Sequence, residues 1–224
     1  MNMIKNIFGK KDDTSQDTSA LEQAEASGDI IVSPDVRRSN RIPPGQSRTV
    51  KWPVLHAGGV PAVNPATWDF RVDGLVNQPL KFSFDEFIAL PRVRVLSDFH
   101  CVTRWSRLNN LWEGVSTQLI AERAGVKPEA KFVLVLAEEG WTTNMPLEDF
   151  LAEDALFAYK HDNAPLEADH GGPLRLVVPR LYAWKSAKWV RGIEFRETDQ
   201  PGFWEEGGYH MHGDPWTEER FYWS

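Results

Sequence analysis

The residues of this 224-residue chain that could do chemistry fall in three segments. The first surrounds Cys101, the only cysteine, in Ser97-Asp-Phe-His-Cys-Val-Thr-Arg-Trp-Ser106. Its neighbours include His100, Thr103, Arg104 and Arg107. Nearby cations favour a thiolate, the form that acts as nucleophile or metal ligand. A lone cysteine is otherwise a small buried hydrophobe. Three readings therefore stand: a nucleophile, a metal thiolate or a packed core thiol. The paired Cys/His spacings of structural zinc are missing. So is CxxCH, which excludes covalent c-type haem, and a single cysteine excludes a disulfide scaffold.

The second segment runs from His170 to Trp189. Gly171-Gly172 lets backbone approach a ligand closely. Between 170 and 193 lie Arg175, Arg180, Lys185, Lys188 and Arg191 with no acidic residue; Glu194 stands just outside. Arginine suits bidentate recognition of phosphate, and lysine acts as a point charge. Ser186 adds a hydroxyl. Neither GxxxxGK[ST] nor GxGxxG is present, so any phosphate is held without a nucleotide-fold loop. A solvated basic surface strand is the competing reading. The third segment is Trp52-Pro-Val-Leu-His-Ala-Gly-Gly-Val-Pro61, where His56 precedes Gly58-Gly59 and could touch a ligand or simply sit in a turn.

The elements that must position these residues are short. Trp68 to Gly74 alternates apolar and polar residues as a half-buried strand does. Ser83-Phe-Asp-Glu86 is a capping box opening a short helix that Pro91 stops. Val93 to Leu96 is a strand leading to Cys101. Ser116 caps a helix through Ala124, ended by Gly125. Lys131 to Ala137, Ala155 to Tyr159, Leu174 to Val178 and Trp189 to Phe195 read as strands, and Leu147 to Leu151 as a short helix. Many short strands with few short helices indicate an α+β domain rather than βαβ units. Residues 1–40 are expected to be a disordered tail, because 10–28 are polar, acidic and short of aromatics. The folded domain is expected over 41–200, with 201–224 an aromatic and acidic extension.

The charge is −7, from 25 Lys+Arg and 32 Asp+Glu, and the last 28 residues alone carry −6. An acidic total disfavours nucleic-acid binding. No run reaches the ~18 apolar residues of a membrane span. No export signal is evident, so a cytoplasmic location is expected.

Residues Trp52 to Trp204 resemble the molybdopterin-binding oxidoreductases of the sulfite oxidase superfamily, and most of all their small bacterial members with only the cofactor domain. The matching blocks are Lys51-Trp-Pro-Val-Leu-His56, Asp98-Phe-His-Cys-Val-Thr103 with Trp105-Ser106, Gly140-Trp-Thr-Thr-Asn-Met-Pro-Leu-Glu148, and His170 to Phe195. The resemblance implies an α+β cofactor domain of mixed sheets with a barrel-like β core and short helices. It implies a molybdenum-molybdopterin cofactor, with Cys101 as the thiolate ligand of the metal and no haem. It places His56, His100, Thr103, His170, Arg175, Lys185, Ser186, Ala187 and Lys188 around the cofactor, and Arg104 and Arg107 toward the substrate; Thr142 or Thr143 is a further candidate for the pocket wall. Relatives that oxidise sulfite carry an arginine five residues after the cysteine, where this chain has Ser106. The implied activity is oxygen-atom transfer on a small substrate, with electrons exchanged with a separate protein. A molybdopterin carrier without turnover is one alternative. A Cys101–His100 hydrolase is another, and a poorer one, because neighbours on a strand point to opposite faces.

Overall fold

A computed structural model describes residues 13–64 and 66–223. In chain order the described elements are α1 (Asp13–Ser27), β1 (Ile30–Val32), β2 (Ser47–Arg48), β3 (Asp69–Gly74), β4 (Leu80–Ser83), α2 (Phe84–Ile88), β5 (Arg92–Cys101) and β6 (Trp105–Ser116). There follow α3 (Thr117–Ala124), β7 (Phe132–Ala137), β8 (Thr142–Pro146), α4 (Leu147–Phe150), β9 (Leu156–His161), β10 (Ala164–Pro165), β11 (Arg175–Val177), β12 (Val190–Arg196) and α5 (Phe203–Glu206).

The strands form two open mixed sheets. The first runs β1-β5-β6-β9-β10, with β11 added on β9 and β2 on β6. The second runs β4-β3-β12-β7-β8. The expected α+β architecture of mixed sheets and short helices is therefore present, and the sheets do not close into a barrel. One apolar cluster joins them. Phe70 and Val72 of β3, Val133 and Val135 of β7, and Ile193 and Phe195 of β12 meet Val115 of β6, Phe157 of β9 and Leu176 of β11. The alternation along β3 makes this possible, since Phe70 and Val72 are buried while Arg71 and Asp73 face out. Phe70 and Phe157 pack edge-on with centroids 4.9 Å apart. The capping box at Ser83 and the Gly125 stop of α3, at φ 63°, form as the sequence predicts.

Two long pieces depart from the sequence reading. Of the expected tail, residues 1–12 lie outside the described residues, and 13–40 carry α1 and β1. Leu21 and Ala24 of α1 pack against Val36 and Leu96, and β1 pairs in parallel with β5. Asp17, one helical turn before Leu21, receives hydrogen bonds from Arg48 and from Asn109. Asp17, Leu21 and Ala24 share a face through the i, i+4, i+7 spacing. A polar helix is thus ordered by ion pairs and one narrow apolar stripe. The second departure is β6, whose Asn, Arg and Gly content disguises a central strand paired with β5 on one side and β9 on the other.

Residues 201–223 pack into the domain: Glu205 and Arg220 are buried, at 7% and 5% exposure.

Candidate functional site

Cys101 is the last residue of β5 and pairs with Trp105 at the start of β6. The turn between them carries Arg104 at φ 74°. Cys101 and Phe99 point to the same face and line a cleft; His100 points to the other. The cleft encloses about 940 Å³ of empty space, some of it open to solvent. Its walls come from the 52–57 loop, the β5 end, β8, the 183–189 segment and the C-terminal segment.

The Thr103 hydroxyl donates to the Cys101 sulfur at 3.1 Å. Burial pushes the thiol pKa up, and the hydrogen bond from Thr103 and the charges of Lys188 and Arg220 oppose that rise. The cations that favour the thiolate are therefore not the sequence neighbours Arg104 and Arg107. Lys188 and Arg220 reach it through tertiary structure.

Arg175 crosses beneath the cleft. Its Nη1 donates to the His170 carbonyl and its Nη2 to the Ser186 carbonyl, each at 2.9 Å. The guanidinium lies 5.1 Å from the Phe99 ring and 5.6 Å from the Trp52 ring. It forms no ion pair among the described residues, and burial pulls its pKa down to about 9. Lys188 is similar. Among the described residues its Nζ donates only to the Asp169 carbonyl at 2.7 Å and the Leu55 carbonyl at 3.2 Å. Burial, followed by the charge of Arg175, lowers its pKa to about 8.

The remaining wall is built by the same segments. His170 stacks on Trp52 with centroids 3.7 Å apart and planes 11° from parallel. Burial and the charges of Arg175 and Lys188 hold its pKa near 4, so the ring is neutral at pH 7. His56 lines the cleft with its Nδ1 3.1 Å from the Gly58 carbonyl and its ring beside Trp189. Ser186 and Ala187 line it too, although the Ser186 hydroxyl already accepts from the Val178 N–H at 3.0 Å. Thr142 and Thr143 both reach the wall. Gly171 sits at φ 102°, and a Cβ there would stand 2.9 Å from the Lys188 Cβ. Backbone and lysine stem meet this closely because the residue is glycine.

Five residues named from the sequence lie outside the cleft wall; one of them, Thr103, still reaches the Cys101 sulfur from the turn. The Arg104 guanidinium faces the Gly45 carbonyl at 3.4 Å, because the left-handed turn swings it outward. Arg107 is held by Asp162 at 2.6 Å, with Asn110 and His161 also in contact. His100 is fully buried on the opposite face of β5, with Nδ1 2.8 Å from the Ser106 hydroxyl. Burial lowers its pKa to about 4. Lys185 is committed to Glu205 at 2.6 Å and to the Asn144 and Met211 carbonyls.

The sequence reading missed the aromatic wall. Trp141, Trp204 and Tyr209 line the cleft beside Trp105 and Trp184. Tyr209 lies close enough to Cys101 for a thiolate charge to raise its pKa, after burial as the larger cause. The density of aromatics in 201–224 was the available signal.

Together these features define an α+β binding domain in which one soft sulfur donor shares a cleft with two cations, one buried and one half-buried, that have no carboxylate partner among the described residues. The chain belongs to the oxidoreductase molybdopterin-binding domain family, whose model matches residues 57–204. It is 56% identical over 188 residues to the uncharacterized oxidoreductase YuiH of Bacillus subtilis (strain 168), covering 84% of this chain and 95% of YuiH. It is 28% identical over 180 residues to the protein-methionine-sulfoxide reductase catalytic subunit MsrP of Campylobacter jejuni, covering 68% of this chain and 58% of MsrP. The fold matches a chain of the sulfane dehydrogenase SoxCD from Paracoccus pantotrophus with a TM-score of 0.60 at 24% identity, over 65% of this chain and 42% of that one. The architecture is that of the sulfite oxidase superfamily, and the protein is an oxidoreductase of that class. No helix among the described residues is long and apolar enough to cross a membrane.

The residues present fit a molybdopterin. Its phosphate would supply the negative charge that Arg175 and Lys188 lack, and a polarisable thiol suits a metal that also carries sulfur ligands.

Proposed function

We propose that the cleft holds one molybdenum-molybdopterin and that the protein carries out two-electron oxygen-atom transfer on a small substrate. The observation that carries this reading is the pair Arg175, buried, and Lys188, half-buried, which have no carboxylate partner among the described residues and line the same cleft as the only thiol. An uncompensated buried charge is costly, and an anionic ligand removes the cost. When bound, the cofactor supplies the oxygen-atom and electron-pair chemistry.

The chain's own residues orient and tune. The Cys101 sulfur serves as the metal ligand, with Thr103 hydrogen-bonded to it. Arg175 and Lys188 bind the phosphate end. His170, neutral at pH 7 and fixed by its stack on Trp52, offers a ring nitrogen to the pterin without adding charge. His56 and the Ser186-Ala187 segment complete the cofactor wall. Tyr209 is a phenol on the same cleft as the sulfur, its pKa raised by burial and then by the Cys101 charge. Trp105, Trp141 and Trp204 exclude water from the reacting end. Because Arg104 and Arg107 are turned away, the substrate is met by aromatic and hydroxyl groups more than by guanidinium. Electrons pass to or from a separate carrier, for which the exposed acids near the C-terminus, Glu197 and Glu206 among them, offer a complementary surface to a basic partner.

Protein made in cells that synthesise molybdopterin tests the reading. About one molybdenum and one pterin per chain are expected, and dye-coupled turnover separates a catalyst from a carrier. A chain that emerges free of both metal and pterin would overturn it.

A further inference from the structure

The turn that carries the cysteine is held from outside the matched domain. The Cys101 carbonyl accepts from Gln46 Nε2 at 3.0 Å and from the Arg104 N–H at 2.9 Å. The Val102 carbonyl accepts from Arg220 Nη1 at 2.7 Å. The Arg104 carbonyl accepts from the Ser47 N–H at 2.9 Å. Arg220 Nη2 also reaches the Pro44 carbonyl at 3.2 Å, so one guanidinium joins the 44–47 strap to the cysteine turn.

This guanidinium is well placed to hold its partners. Its side chain is 6% exposed and lies 5.0 Å from the Tyr182 ring centre. Its carboxylate neighbour, Glu218, is 3.5 Å away. Gly45 lets the strap approach: at φ 67°, a Cβ there would come within 2.6 Å of Glu218 and 2.9 Å of Arg104. The turn itself contains Arg104 in the left-handed region, a conformation that persists where the surroundings over-determine it. Thr103, inside the turn, touches the sulfur, so a shift of the turn moves hydroxyl and thiol together.

We propose that Arg220 and Gln46 are positioning residues that clamp the 101–104 turn and so set the direction in which the Cys101 sulfur enters the cleft. Both lie outside residues 57–204, so the flanks of the chain help to build the site of the domain. The proposal rests on Cys101 as the sulfur donor to the metal. Arg220 acts through two backbone carbonyls and is not a catalytic residue. A lysine at this position keeps the charge but gives up the fork that reaches both carbonyls.

The test uses the full-length, molybdenum-loaded protein as wild type, Arg220→Ala, Arg220→Lys, Gln46→Ala and Cys101→Ser. The readout is the absorption band that wild type has and Cys101→Ser lacks, normalised to bound molybdenum, with the thermal midpoint measured alongside. In Arg220→Ala this band is expected to shift, or to lose roughly half its intensity or more, because sulfur–metal geometry is felt at the scale of ~1 Å. Arg220→Lys restores part of it, and Gln46→Ala has a smaller effect of the same kind. Should Arg220→Ala fail to fold, Gln46→Ala and Arg220→Lys carry the comparison. A lower thermal midpoint with an unchanged band per metal overturns the clamp, since Arg220 is then only structural. A molybdenum-loaded wild type with no Cys101-dependent band overturns the sulfur-donor reading, and the proposal with it.

Discussion

Lys185 Nζ lies 2.6 Å from Glu205 Oε1, and neither side chain is exposed. The pair joins the segment that carries Ser186, Ala187 and Lys188 to α5 in the C-terminal extension. Burial pushes the Lys185 pKa down, and Glu205 opposes that shift. Trp184 Nε1 and the Thr143 hydroxyl also donate to Glu205, at 2.8 and 3.2 Å. Removing one partner strands the other charge in the interior. Lys185→Met is therefore expected to cost about 3–5 kcal/mol, while the double change Lys185→Met with Glu205→Leu recovers a large part of it. Denaturant unfolding of wild type, Lys185→Met, Glu205→Leu and the double variant checks this, and full additivity of the two single changes would count against the pairing.

Cys101→Ser removes the soft donor but barely changes side-chain volume. The fold is expected to survive, with pterin retained through Arg175 and Lys188 and oxygen-atom transfer lost. Turnover at the wild-type rate would show that the sulfur plays no part.

Arg175→Ala deletes the cation beneath the cleft. A charge-assisted contact is worth roughly 1.5–3 kcal/mol, so cofactor affinity should fall about 10- to 100-fold. Pterin content after dialysis measures this. Undiminished occupancy would move the phosphate elsewhere.

His212 ties the C-terminal segment to α4. Its Nδ1 is 2.8 Å from Glu219 and its Nε2 3.1 Å from Asp149. The hydrogen bond with Asp149 leads the causes that raise its pKa from 6.5 to about 9. A folded-state pKa above the unfolded value means that the stabilisation is complete below about pH 6.5 and is lost as pH climbs through about 9. The thermal midpoint of wild type should therefore fall between pH 7 and about 9.5 more than that of His212→Gln. Parallel curves for the two proteins would refute the clasp.

Much of this molecule is written in local sequence. The capping box at Ser83, the glycine stop at Gly125 and the alternation of Phe70 and Val72 fix their elements through short-range hydrogen bonding and side-chain period. Cys101 as the one thiol, and 170–189 as a stretch with cations and no acidic residue, are legible from residue type alone, while their roles came only with the resemblance. The blocks that mark the superfamily are likewise legible without coordinates.

What tertiary structure decided is which charges face the cleft. Arg104 and Arg107 adjoin Cys101 in sequence, yet a left-handed turn and an ion pair with Asp162 direct them away. Lys188, 87 positions later, and Arg220, 119 positions later, supply the field instead. Sequence distance reports on charge proximity only when the backbone path between the residues is known. The same holds for α1 and β6, whose polar residues gain strand or helix character from partners distant in the chain. Residue identity set the chemistry available, and side-chain direction, fixed by pairing across the two sheets, selected which of it meets a ligand.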